Sequence, residues 1–123
     1  KEEFIELLGL HCHIGSQIFE TVGFKLAAEK LITKMIEWDN AFGYACKVLN
    51  LGGGFGIKYT EQDTPLEPST YVKEMISAVK QLVANANLEM PEIWIEPGRS
   101  LVGNSGTSLY TKRYKKEVQT KFL

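Results

Sequence analysis

Val48-Leu49-Asn50-Leu51-Gly52-Gly53-Gly54-Phe55-Gly56 sets four glycines within five positions directly after a short apolar run. Four mostly apolar residues stopped this abruptly read as a buried strand and its turn. A tight turn that needs positive φ would be served by one or two glycines. Three in a row favour something more demanding. Without Cβ atoms, backbone N–H groups can turn inward and approach an anion closely, which is how phosphate loops work. No Gly-Lys-Ser or Gly-Lys-Thr follows, so this is not a Walker loop, and the spacing is not that of the dinucleotide fingerprint GxGxxG in its usual context.

Outward from this turn the pattern repeats. Upstream, Ala28, Leu31, Ile32, Met35 and Ile36 fall three and four apart on one helical face, and that helix should end near residues 40–43. Before it, residues 5–14 hold the apolar run Leu7-Leu8-Gly9-Leu10 and then His11-Cys12-His13-Ile14, broken by Gly15-Ser16, and read as another buried strand. Downstream, a polar loop over residues 60–68 leads to Ser69, a candidate cap for a helix with the apolar face Val72, Met75, Ile76, Val79, Leu82 and Val83. Pro91 ends that helix. Ile93-Trp94-Ile95 is a third short strand, closed by Glu96-Pro97-Gly98-Arg99.

Strand, helix, strand, helix, strand implies a parallel sheet, because parallel neighbours need long crossovers and the helices supply them. Both the (β/α)8 barrel and the open doubly wound sheet place ligands past the carboxyl ends of their strands, where each unusual cluster here falls. Three parallel strands leave two edges and one face to be covered, and a whole barrel takes about 250 residues. The 123 residues therefore look like part of a domain.

Composition narrows the function classes. With 14 Lys and Arg against 15 Asp and Glu, no basic excess points to nucleic acid. The one basic cluster, Lys112, Arg113, Lys115 and Lys116, reads as a solvated segment. No apolar run approaches the roughly 20 residues of a membrane helix, and the N-terminus lacks a secretory pattern, so a cytoplasmic location is expected. Cys12 and Cys46 have no zinc-type spacing and read as two buried free thiols.

Three clusters could carry chemistry. His11 and His13, at i and i+2, share one face of an extended strand and could be bases, stacking surfaces or structural histidines. With no third ligand at metal-site spacing, no metal is expected. The glycines offer an anion cradle. Glu96 and Arg99 flank a turn set by Pro97 and Gly98, where the guanidinium could bind phosphate or carboxylate bidentately or simply pair with Glu96.

Taken in order, HxHIGSQ, LNLGGGFG and IEPGRS resemble the fold-type III pyridoxal-phosphate enzymes, within them most closely the diaminopimelate decarboxylase family, over residues 5–111. The resemblance implies a segment of an alanine racemase-like, pyridoxal-phosphate-binding (β/α)8 TIM barrel, about its last three βα units. Residues 1–103 would be the C-terminal part of that barrel, and residues 104–123 the start of the connection to a C-terminal β domain. It further implies that His13 stacks on the cofactor ring and that Ser16 and the glycines Gly52, Gly53 and Gly54 serve its phosphate. Glu96 would face the pyridine nitrogen, with Arg99 near phosphate and substrate and Pro97 and Gly98 completing the motif. A glutamate there, where the related racemases present an arginine, favours decarboxylation. The implied reaction turns meso-diaminopimelate into L-lysine and CO2, in a parent enzyme expected to be a homodimer acting on a small amino-acid substrate, with neither nucleic acid nor membrane as partner. Ornithine- or arginine-type decarboxylases share the glycine and EPGR parts, and a non-catalytic barrel homologue or another phosphate-binding barrel stands as the alternative. By the same resemblance, the lysine that holds the cofactor covalently and a cysteine of the β domain lie outside this chain, so the segment alone is expected to be inactive.

Overall fold

Leu49 and Leu51, two apart on one strand, must share a face, and both are fully buried there against two helices. Their strand is the middle one of three. The computed structural model describes residues 3–111, in the order β1 (Gly9–His11), α1 (Val22–Phe42), β2 (Val48–Gly53), α2 (Pro68–Asn85), β3 (Glu92–Glu96) and α3 (Gly98–Val102), followed by a 3-10 turn at Gly103–Ser105. The strands are parallel in the order β1-β2-β3, with Leu10 opposite Leu49 and Leu49 opposite Ile93.

One core holds the layers together. Phe24, Ala28, Ile32 and Met35 of α1 meet Tyr71, Met75, Val79 and Val83 of α2 over Leu49 and Leu51. Both crossover helices thus cover the same face of a sheet whose strands run in sequence order. That is the winding of a barrel wall; a doubly wound sheet sends its helices to both faces. Burying each of these large apolar side chains contributes about 1.5–3 kcal/mol. Among the described residues, no helix is long and apolar enough to cross a membrane.

The helical faces expected from spacing are those that pack, with Phe24, Ala27 and Tyr71 added and Leu31, Ile36, Val72, Ile76 and Leu82 half-buried. The chain leaves α1 through Gly43, whose φ of 60° lets its N–H reach the Asp39 carbonyl at 2.8 Å.

Three expectations change. Ser69 does not cap α2: the helix starts at Pro68, whose ring already fixes the φ that a first helical residue needs, so Ser69 lies inside the first turn. The strand expected over residues 5–14 shortens to Gly9–His11, and Ile5 and Leu7 are 72% and 53% exposed. The ladder with β2 begins only at Gly9, opposite Val48. Cys46 is buried but Cys12 is only half-buried; both thiols are free, and burial pushes both up, so they stay protonated at neutral pH. Leu109 and Tyr110 are exposed. The basic cluster from Lys112 lies outside the described residues.

Candidate functional site

All three sequence clusters come together past the carboxyl ends of the strands. The loop leaving β1 and the loop leaving β2 are joined by backbone bonds, Ile18 N–H to the Gly54 carbonyl at 2.9 Å and Gly56 N–H to the Ile18 carbonyl at 2.8 Å. Beneath them lies an aromatic floor. Phe55 and Tyr71 stack with centroids 4.9 Å apart, Phe24 meets both edge-on, and the Tyr71 hydroxyl donates to the Ile18 carbonyl at 2.8 Å.

Each of the three consecutive glycines has a structural demand of its own. Gly52 and Gly54 have φ of 69° and 88°. A Cβ on Gly54 would lie 2.1 Å from the Gly15 carbonyl oxygen, and one on Gly53 would lie 1.9 Å from the Glu96 carbonyl oxygen. A Cβ on Gly52 would meet the Cys12 carbonyl oxygen at 2.5 Å and the His13 Nδ1 at 3.2 Å. Bare backbone is thus what lets three strand ends converge, and His13 lies directly over Gly52. The run of glycines therefore needs no bound phosphate to explain it.

The sheet face opposite the helices carries polar side chains together with Val48 and Trp94. On β2, Asn50 alternates with Leu49 and Leu51 and so points away from the core. Its Nδ2 donates to Glu96 Oε1 at 3.0 Å, and its Oδ1 accepts the Gly52 N–H at 2.9 Å. His11 Nε2 lies 3.5 Å from the same Glu96 oxygen, with both side chains about half exposed. Three adjacent strands therefore contribute His11, Asn50 and Glu96 to one group.

The third cluster is clasped by Gln17. Its carboxamide accepts the Ile57 N–H at 3.2 Å and donates to the Ile57 carbonyl at 2.6 Å, and its Oε1 also accepts Arg99 Nη1 at 3.0 Å. The guanidinium sits 5.8 Å from the centroid of the Tyr59 ring. Arg99 does not pair with Glu96, so the surface ion pair weighed from the sequence is not what these two residues form. Pro97 precedes α3, Gly98 and Arg99 open it, and the Ser100 hydroxyl closes the turn on the Pro97 carbonyl at 2.9 Å. Ser16 is exposed beside Gly15.

The structure thus brings His13, Gly52, Gly53, Gly54 and Glu96 together and sets Ser16 on the loop after β1 and Arg99 in the first turn of α3. Sequence reasoning quoted Asn50 and Gln17 within its motifs but gave neither a role of its own. A signal existed for Asn50, a lone amide between leucines on a strand, on the face opposite to theirs. For Gln17 there was none, because its partners lie 40 and 82 residues away.

A pyridine ring flanked by a phosphate is one chemistry this arrangement suits: an imidazole for a ring face, a carboxylate for a ring nitrogen, and a glycine cradle with a nearby guanidinium for an anion. The chain belongs to the pyridoxal-dependent decarboxylases, whose pyridoxal-binding-domain model matches residues 1–103. Within that class it is 58% identical over 118 residues to the diaminopimelate decarboxylase of Bacillus subtilis and 60% identical over 115 residues to that of Bacillus methanolicus. These alignments cover 96% and 94% of the chain but 27% of each relative, so the chain spans about a quarter of the relatives' length. Among solved structures it is similar to diaminopimelate decarboxylase from M. jannaschii in complex with L-lysine, with a TM-score of 0.70 and 32% identity over 80% of this chain and 22% of that one.

Proposed function

We propose that this chain is a segment of the cofactor-binding barrel of a diaminopimelate decarboxylase, an enzyme that converts meso-2,6-diaminopimelate to L-lysine and CO2. The observation that carries the reading is Glu96, a carboxylate held at a strand end beside a glycine cradle, in a chain whose relatives at 58–60% identity are named for that reaction. Pyridoxal phosphate, when bound, supplies a sink for the electron pair left behind as a carboxylate departs as CO2, and the sink is stronger when the pyridine nitrogen is protonated. Glu96 is the residue to hold that proton. His13 would offer its ring face to the pyridine, while the turn of Gly52, Gly53 and Gly54 and the Ser16 hydroxyl would take the phosphate, the Gly52 N–H itself being held by Asn50 Oδ1. Arg99 serves phosphate and substrate carboxylate, and Pro97 and Gly98 set the turn that aims it.

Residues 1–103 would be the C-terminal part of the barrel, about its last three βα units, and residues 104–123 would lead into a β domain. The covalent lysine and a substrate-contacting cysteine would come from elsewhere in a cytoplasmic homodimer. A panel of amino acids offered to the full-length protein tests this reading. CO2 should be released from diaminopimelate, whereas release from ornithine or arginine instead would assign the same-fold alternative. No release from any of them, with no cofactor bound, would point to the non-catalytic barrel homologue. The isolated 123-residue chain should turn over none of these substrates, and measurable turnover by it would overturn the segment reading.

A further inference from the structure

We infer that Asn50 is a positioning residue for Glu96: its side-chain amide holds Glu96 Oε1 so that Oε2 is the oxygen presented to a bound ring nitrogen. This rests on the reading of Glu96 above and goes beyond it by naming what orients the carboxylate. The orientation of the Asn50 amide follows from chemistry. The Gly52 N–H can only donate, so the atom facing it at 2.9 Å is the oxygen; the carboxylate can only accept, so the NH2 group faces Glu96 at 3.0 Å. One side chain therefore ties the carboxylate on β3 to the first glycine of the β2 turn. His11 reaches the same oxygen at 3.5 Å from the other flanking strand.

The demand falls on an amide in particular. An aspartate at this position would keep an acceptor for Gly52 N–H but would set a second carboxylate against Glu96, so Asn50→Asp separates the two ends of the interaction. A hydrogen bond to a charged group is worth enough that its loss should lower turnover about tenfold.

The experiment compares the full-length protein with Asn50→Asp, Glu96→Gln and the double variant, loaded with pyridoxal phosphate. Thermal melting, the absorbance spectrum of the bound cofactor, and kcat and KM for diaminopimelate are read for each. Asn50→Asp should melt within a few degrees of the parent, with kcat down about tenfold, KM little changed and the spectrum moved toward that of Glu96→Gln. The double variant should be no slower than Glu96→Gln alone, because both changes act through one group. If Glu96→Gln alters spectrum and turnover while Asn50→Asp leaves both at parent values, or if the two losses simply add, the positioning role is wrong and the reading of Glu96 stands. If Glu96→Gln itself changes neither, the underlying reading fails and this inference with it. Should Asn50→Asp fail to fold, Asn50→Ser is compared in its place by the same cofactor spectrum, and an unchanged spectrum again overturns the role.

Discussion

β2 presents two faces built on opposite terms. Toward the helices, Leu49 and Leu51 are wholly buried beneath Phe24, Met35, Tyr71 and Met75. On the other side, Asn50 is hydrogen-bonded to Glu96, with His11 3.5 Å from the same carboxylate, in a group that is half open. One strand six residues long therefore serves packing and chemistry in alternation. A buried apolar face gains from filling space, and a polar face gains from leaving space for something else. Changes on the first should be read in stability, and changes on the second in function with stability nearly intact.

The largest expected effect breaks the packed face. Leu51→Ala should remove about 2–5 kcal/mol of stability through lost burial and the cavity left behind. Denaturant midpoints measured against the parent would show it, and a shift under about 1 kcal/mol would mean that the face is loosely packed. On the polar face, Glu96→Gln should lower decarboxylation by the full-length protein about a hundredfold, because the pyridine nitrogen would lose the carboxylate that keeps it protonated, with little change in melting temperature. A large melting change with intact turnover would exchange the roles of the two faces.

Gly53 is where the two meet, and a smaller, mixed effect is expected there. Gly53→Ala would drive a Cβ into the Glu96 backbone, forcing β2 and β3 apart, with about 1–3 kcal/mol lost and turnover reduced together. If stability fell and turnover did not, the Glu96 carboxylate would not depend on strand register.

How far this division was legible in sequence depended on the range of the signal. Local periodicity marked the buried faces of α1 and α2, because 3.6-residue spacing is a property of a few consecutive turns. The strand ends and their unusual residues were equally visible. Strand lengths were not: the apolar run through Leu7 and Leu8 resembles a buried strand, yet the ladder with β2 begins only at Gly9, and where pairing begins is not written in a local run. The start of α2 was misplaced because Ser69 has a capping side chain while Pro68 favours the first helical position without one. Gln17 became visible only once the fold had brought Ile57 and Arg99 against it.

The smallest effect concerns acid. Backbone N–H groups of Thr60 and Tyr59 hold the Asp63 carboxyl below its ordinary range, and hydrogen bonding to Lys25 does the same for Glu74. Because the folded-state values are depressed, these groups stabilise the fold above their unfolded pKa, and the contribution is lost as pH falls through the folded one. Melting temperature should therefore hold from neutral pH to the usual carboxylate range and decline below it. Asp63→Asn should shallow that decline slightly, and an unaltered slope would show that the loop bonds contribute nothing.

The central claim is that the open polar face and the adjoining loops form a pyridoxal phosphate site. A structure of the full-length protein with that cofactor bound tests it most directly. The account predicts the phosphate against Gly52, Gly53, Gly54 and Arg99, the ring against His13, and the pyridine nitrogen facing Glu96. A cofactor bound elsewhere, with Glu96 and His13 turned against protein, would contradict it.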